Sequence, residues 1–221
     1  MQRPFVQIDT VTPAASYNLV SLATVMTSLN ITDPTQETYL NLAIAEASGI
    51  AASYCNQPFV IEAIQSSYFP SRDGFPWIVR DRIAPLQLRR YPVVQPVASV
   101  VETIAGAATT LIENTDFLVD YAQGTITRLD SAGYPRLWSP NPIVVLYSAG
   151  YATIPPSVIK AVIDIVRTEY YGRTRDPLLR GENIEGVYSA QYFFGNGPGT
   201  QKSLPPSIAG LLDKYRMPAF G

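Results

Sequence analysis

Two stretches of helical period bracket a long segment that has none, and this interruption limits the folds open to the chain. From Asp33 to Asn56 apolar residues recur at three- and four-residue steps: Leu40, Ala43, Ile44, Ala47, Ala51 and Tyr54. From Pro155 to Gly172 the period returns in Val158, Val162, Ile165, Val166 and Tyr170. Neither stripe can be buried by its own helix, so the two are expected to pack on each other. Between them, residues 59–151 show period-two runs, frequent proline and turn signals. Phe117, Val119 and Tyr121 alternate with Leu118 and Asp120, Gln123-Gly124 reads as a turn, Thr125 to Leu129 as the return strand, and Ile143 to Tyr147 as a further strand.

Local signals set the boundaries. Ser21 to Leu29, with Leu22, Val25, Met26 and Leu29 at helical spacing, predicts a short first helix. Asp33 is an N-cap candidate, Pro34 suits a first helical position, and Gln36 completes a capping-box-like pattern. Paired prolines open two helices: Pro155-Pro156 starts the third helix and Pro205-Pro206 a last one, running to Tyr215 with Ile208, Leu211 and Leu212 apolar. The expected fold is α+β: a small bundle of three to four helices with a β-rich antiparallel insert between the second and third main helices. Residues 1–18 read as an N-terminal arm, 19–58 and 152–172 with 204–216 as the helical core, 59–151 as the insert, 173–203 as a long Gly-rich flexible loop, and 217–221 as a C-terminal tail.

The chemistry is sparse. There is no histidine and one cysteine, which removes Ser-His-Asp and Cys-His catalysis, His-ligated zinc, thiolate metal sites and intrachain disulfides. Cys55 closes an apolar stripe and reads as a small core residue. Carboxylate acid–base chemistry needs two converging groups. Asp116 with Asp120 and Glu182 with Glu185 are close in sequence but lie in no motif, and read as solvated charge. Gly195-Asn196-Gly197-Pro198-Gly199 before Lys202-Ser203 fails as a phosphate loop. Its spacing is wrong, and Pro198 removes a backbone donor. Asn30-Ile31-Thr32 is a sequon without meaning unless the chain is secreted, and the start of the sequence lacks the pattern of a signal peptide. No apolar run reaches membrane-spanning length, so no membrane partner is expected and synthesis in the cytoplasm is.

Surface character points instead to protein contacts. Charged residues are 15% of the 221 against an apolar 47%, and the net charge is −2. An acidic chain with pI about 5.2 is poorly suited to hold nucleic acid by bulk charge. Of 16 basic residues 13 are Arg, and there are 14 Tyr, two residue types enriched at protein interfaces. Arg72, Arg80, Arg82, Arg89 and Arg90 alternate with Tyr68, Phe69, Phe75, Trp77 and Tyr91, a mix that binds single strands in some proteins and is diluted here by Asp73 and Asp81. Arg167, Arg173, Arg175 and Arg180 gather at a helix end.

Several segments, in order, resemble the head–tail connector (adaptor) proteins of tailed phages, in their β-insert variant. They are Leu19 to Leu29, the Ala-rich helix through Leu40 and Ala47 to Tyr54, Pro92-Val93, Pro96 to Val100, the Asp116 to Asp120 strand and Gly124-Thr125-Ile126. Val145-Leu146-Tyr147-Ser148-Ala149-Gly150-Tyr151, Ile154-Pro155, Ala161-Val162, Tyr170-Tyr171-Gly172-Arg173 and Leu204 to Arg216 complete the set. The resemblance implies a virion neck subunit that forms a ring with itself, normally of twelve. It implies contact with the portal protein above and a neck or tail protein below, and passage of double-stranded DNA through the channel. It implies no catalysis and no cofactor. Portal contact is expected through Ile208, Leu211, Leu212, Tyr215, Arg216 and Phe220, and contact between subunits through Tyr188, Tyr192, Phe193 and Phe194. The readings set against it are another neck or tail-completion protein, a single-stranded nucleic-acid binder using residues 72–91, and an enzyme built on Asp116 and Asp120.

Overall fold

The computed structural model describes residues 5–69, 85–104, 106–173, 181–184, 188–191 and 204–217. The chain divides into two units, one of residues 1–15 with 60–152 and one of residues 16–59 with 153–221. The fold is α+β, with the β-rich unit inserted between the helices of the other as the interrupted period requires.

In the helical unit, α1 (Leu22–Leu29) begins where the Ser21 hydroxyl accepts the Thr24 N–H, and ends at Asn30 in the left-handed conformation. The Asp33 signal is used differently from a capping box. Its carboxylate accepts the Thr35 N–H and caps a short 3-10 turn, Pro34–Gln36, which leads into α2 (Glu37–Cys55). Asn56 closes α2, again left-handed, before Pro58. Pro155 and Pro156 open α3 (Pro156–Gly172). The two interior stripes are buried along their lengths: Leu40, Ala43, Ile44, Ala47 and Ala51 on α2, and Val158, Ala161, Val162, Ile165 and Val166 on α3, which pack together. The last helix, α4 (Pro206–Leu212), continues as a 3-10 turn over Asp213–Tyr215 and packs on α3 and α2.

In the β unit five strands form one antiparallel sheet in the order β1 (Phe5–Thr12), β2 (Glu62–Phe69), β8 (Ile143–Ala149), β4 (Val93–Ile104), β5 (Ala107–Leu111). A three-stranded sheet runs β3 (Leu86–Gln87), β7 (Thr125–Arg128), β6 (Phe117–Asp120). Alternation decides which face each strand buries: in β8, Ile143, Val145, Tyr147 and Ala149 are buried and the residues between them half-buried. One core cluster draws on both sheets, joining Ile64, Tyr68, Val100 and Val145 to Leu86, Phe117, Ile126 and Trp138. Gly150, just past β8, has φ +139, and a Cβ there would run into the Val60 carbonyl.

Two expectations need correction. Residues 1–18 do not simply form an arm, because Phe5–Thr12 is the outermost strand of the five-stranded sheet, registered against β2 from Phe5↔Phe69 to Thr12↔Ala63. Residues 173–203 are not all irregular. β9 (Gly181–Ile184) and β10 (Tyr188–Gln191) pair antiparallel as a hairpin.

Candidate assembly surfaces

The C-terminal region was expected to reach outward to a portal. In the structure its apolar side chains turn into the helical unit. Ile208 and Leu212 are buried, Met217 is buried, and Leu211 and Tyr215 are half-buried. Backbone and side-chain bonds fasten the segment to the end of α2. The Met217 N–H donates to the Cys55 carbonyl at 2.9 Å, Gln57 Nε2 to the Tyr215 carbonyl at 2.7 Å, and Tyr54 Oη to Asp213 Oδ1 at 2.6 Å. The bond to Asp213 pushes the Tyr54 phenol up from its usual range, helped by partial desolvation. What this segment shows to solvent is charge: Lys214 and Arg216 are exposed, with their cations over the rings of Tyr215 and Tyr54 at 4.8 and 5.3 Å. Of the residues expected to touch a portal, therefore, Ile208 and Leu212 are core residues of this unit, Arg216 is exposed, and Phe220 lies outside the described residues.

Near the C-terminal end of α3, Arg173 lies between Tyr39 and Tyr170, 4.7 and 4.5 Å from their ring centres, and donates to Gln36 Oε1 at 2.8 Å. Tyr39 Oη donates to Glu169 Oε1 at 3.2 Å, and its phenol is pushed up by burial and then by that carboxylate. Arg167 instead pairs with Asp164 at 3.0 Å on the same helix. Arg175 and Arg180 lie outside the described residues, as do Tyr192, Phe193 and Phe194; Tyr188 is the first residue of β10.

Exposed apolar groups that sequence reasoning passed over sit elsewhere. The outward face of α2 carries Leu42, Ala45, Gly49 and Ile50 with one charge, Glu46; Leu42 is 59% exposed. The signal was present, since Leu42 and Ile50 are eight residues apart, two helical turns, but the deeper stripe on the other face masks it. In the β unit Ile112, Leu118, Tyr134 and Leu137 are exposed, Tyr134 at 69%.

Among the described residues the catalytic and nucleic-acid readings find no site. Asp116 accepts the Ile112 N–H at 2.9 Å, while Asp120 accepts the N–H groups of Ala122 and Gln123, both at 2.9 Å. Each caps its own turn, and no bond joins them among the described residues. No group of three His, Cys, Asp or Glu side chains able to hold a metal occurs among the described residues. Of the Arg–aromatic stretch, Tyr68 is a core residue whose Oη donates to the Gln87 carbonyl at 2.7 Å, so its face is not offered to a base. Arg72, Phe75, Trp77, Arg80 and Arg82 lie outside the described residues. Among the described residues no helix is long and apolar enough to cross a membrane.

No protein-family profile and no curated protein sequence matches the chain. Solved structures do. A chain in the neck of an empty gene transfer agent (GTA) particle, computed with C6 symmetry, superposes with a TM-score of 0.56 at 15% identity over 97% of both chains. A chain from the virion of a native GTA particle gives 0.55 at 14% over 96% of both. A chain in the neck of a native GTA particle, computed with C12 symmetry, gives 0.50 at 17% over 97% of both. The likeness extends over both units and shows that the fold is shared.

Proposed function

We propose that this chain is a non-enzymatic structural subunit of the neck of a tailed-phage-like particle, a head–tail adaptor that assembles with copies of itself into a ring. The observation that carries the reading is the end-to-end match, over 96–97% of both chains, to chains taken from GTA particles, two of them from necks treated with six- and twelve-fold symmetry. The chain's own surface supports it. Apolar side chains, Leu42 and Ile50 on the outer face of α2 and Ile112, Leu118, Tyr134 and Leu137 on the β unit, stand exposed and are available to a neighbouring copy.

In the finer reading the ring has twelve copies, sits between the portal and a neck or tail protein, and continues the DNA channel. Net charge of −2 supports a lumen that lets duplex DNA slide without holding it. The portal contact falls to the exposed Lys214 and Arg216 with the half-buried Leu211 and Tyr215, because Ile208 and Leu212 are occupied within the unit. The test is native mass measurement and electron microscopy of the purified protein, alone and with the portal of the same particle. Rings are the expected outcome. A chain that stays monomeric at every concentration, with and without portal, would overturn the reading.

A further inference from the structure

Among the described residues nothing pairs with the outer side of either end strand of the five-stranded sheet. β1 and β5 are its outermost strands, and among the described residues β1 pairs only with β2 and β5 only with β4. Both are uncovered: residues 7–12 and 107–110 are exposed. The ladder shows which groups of β5 point outward. Thr103 donates its N–H to the Pro142 carbonyl, on the side away from β5. In an antiparallel ladder hydrogen-bonded and non-hydrogen-bonded pairs alternate. Ala108, opposite Thr103, and Thr110, opposite Val101, therefore turn their N–H and C=O groups away from β4.

Free edges in single-chain proteins are usually blunted by charge, proline or cover. β5 reads Ala-Ala-Thr-Thr-Leu and has neither charge nor proline. β1 carries one charge, Asp9, and a bulge at Val11 that leaves Phe5 to Thr10 in straight register, long enough to span the five residues of β5. The two edges are different surfaces on opposite sides of one sheet. That is the arrangement of a head-to-tail interface, which closes into a ring when the rotation per copy permits. Direction fits as well. The four strand-to-strand steps from β1 to β5 are all antiparallel, so β1 and β5 run the same way. A rotation of about 30° between copies, as in a twelve-fold ring, nearly preserves that direction. Five strands give about 24 Å of arc per copy, about 290 Å for twelve copies, hence a sheet ring about 90 Å across, which leaves an axial lumen.

We infer that the free edge of β5 in one copy adds, in parallel, to the free edge of β1 in the next, so that the sheets run continuously around the ring. The partner is a second copy of this chain, and the inference rests on the ring reading above.

Two measurements test it. The double variant Ala108→Pro/Thr110→Pro removes both outward donors of β5 and leaves the N–H groups of Ala107, Thr109 and Leu111 in place. Native mass measurement should show a monomer with the wild-type circular dichroism where the wild type forms rings. Independently of any substitution, hydrogen exchange in the wild-type ring should slow at least tenfold at Ala108 and Thr110 and at Val6, Ile8 and Thr10, the β1 residues that alternate with those bonded to β2, relative to monomer obtained by dilution. If the proline variant fails to fold, the exchange comparison decides. Rings formed by the folded variant, or equal exchange in ring and monomer, would overturn the edge pairing while leaving the neck assignment intact. A wild type that forms no ring under any condition overturns both.

Discussion

Arg128 on β7 donates its Nε–H to Glu102 Oε2 on β4 at 2.9 Å, and both side chains are almost fully withdrawn from water. The pair ties the three-stranded sheet to the five-stranded one. Further bonds hold both partners: Arg128 Nη1 donates to the Asp116 and Leu129 carbonyls, and Glu102 Oε1 accepts the Ser139 N–H at 2.6 Å. A buried pair satisfied in this way tolerates joint replacement far better than the loss of one partner. Glu102→Ala should therefore lower unfolding stability by about 3–5 kcal/mol. Glu102→Leu with Arg128→Met should recover most of it. Urea denaturation of the three proteins is the measurement, and equal stability of Glu102→Ala and wild type would refute the assignment.

Ile44 and Val162 are both fully buried on the facing stripes of α2 and α3. Aspartate at either position would bury a charge without a partner, at several kcal/mol. Ile44→Asp and Val162→Asp should each give insoluble or unfolded protein, while Leu42→Asp, on the exposed face of α2, should leave the monomer folded. Solubility and far-ultraviolet circular dichroism separate the outcomes.

These cases show where the sequence is informative. The α2 and α3 stripes were legible because a helical period is written in neighbouring residues, and Asp33, Pro155 and Gly172 marked their ends. The strand β1 was not, although Val6, Ile8 and Thr10 alternate with Gln7 and Asp9. An edge strand with Ile8 exposed has no fully apolar face to announce it. Apart from Ile184 and Tyr188 the hairpin of β9 and β10 is composed of polar and small residues, Gly-Glu-Asn-Ile and Tyr-Ser-Ala-Gln, which carry little strand signal. The Glu102–Arg128 pair, 26 residues apart, depends on how two sheets stack, which local pattern does not encode. The last helix was legible as a helix, but an apolar stripe states that a partner is needed, not which one.

Gly150 offers a stringent check on the β unit. Its φ of +139 is a region that side-chain-bearing residues rarely occupy, and the Val60 backbone fills the space a Cβ would need. Gly150→Ala should destabilise by at least about 2 kcal/mol, read as a lowered Tm. Gly49→Ala, on the exposed face of α2 with open space around it, should be neutral or raise Tm slightly.

Cys55 is buried at the end of α2, and desolvation, reinforced by Asp213, pushes its thiol up to about 11. Two consequences follow from the sign. At pH 8 the folded protein should resist thiol reagents and react only after unfolding. Because the folded value lies above the unfolded one of about 8.5, the unfolded state binds fewer protons between them. The contribution of this group to stability is thus complete below about pH 8 and is lost as pH rises toward 11. Cys55→Ala should remove that part of the alkaline fall in stability, and an unchanged alkaline profile would count against it.

The C-terminal segment yields the last prediction. Removing everything after Ser203 would strip Ile208, Leu212 and Met217 from the helical unit, together with the bonds from Gln57 to Tyr215 and from Met217 to Cys55. Each apolar side chain contributes about 1.5–3 kcal/mol by burial, so the truncated chain should lose most of a small domain's margin and be partly unfolded. Loss of portal binding by that truncation would therefore say little about a contact. The informative variants are Lys214→Ala and Arg216→Ala, singly and together, because both side chains are exposed and neither is part of the core. They should keep the wild-type circular dichroism and Tm within a few degrees. If the portal is held through this surface, capture by the portal should fall at least tenfold for the double variant and become less sensitive to salt, since charges that attract across an interface are screened by added ions. Portal capture equal to wild type at low salt would move the contact elsewhere on the chain.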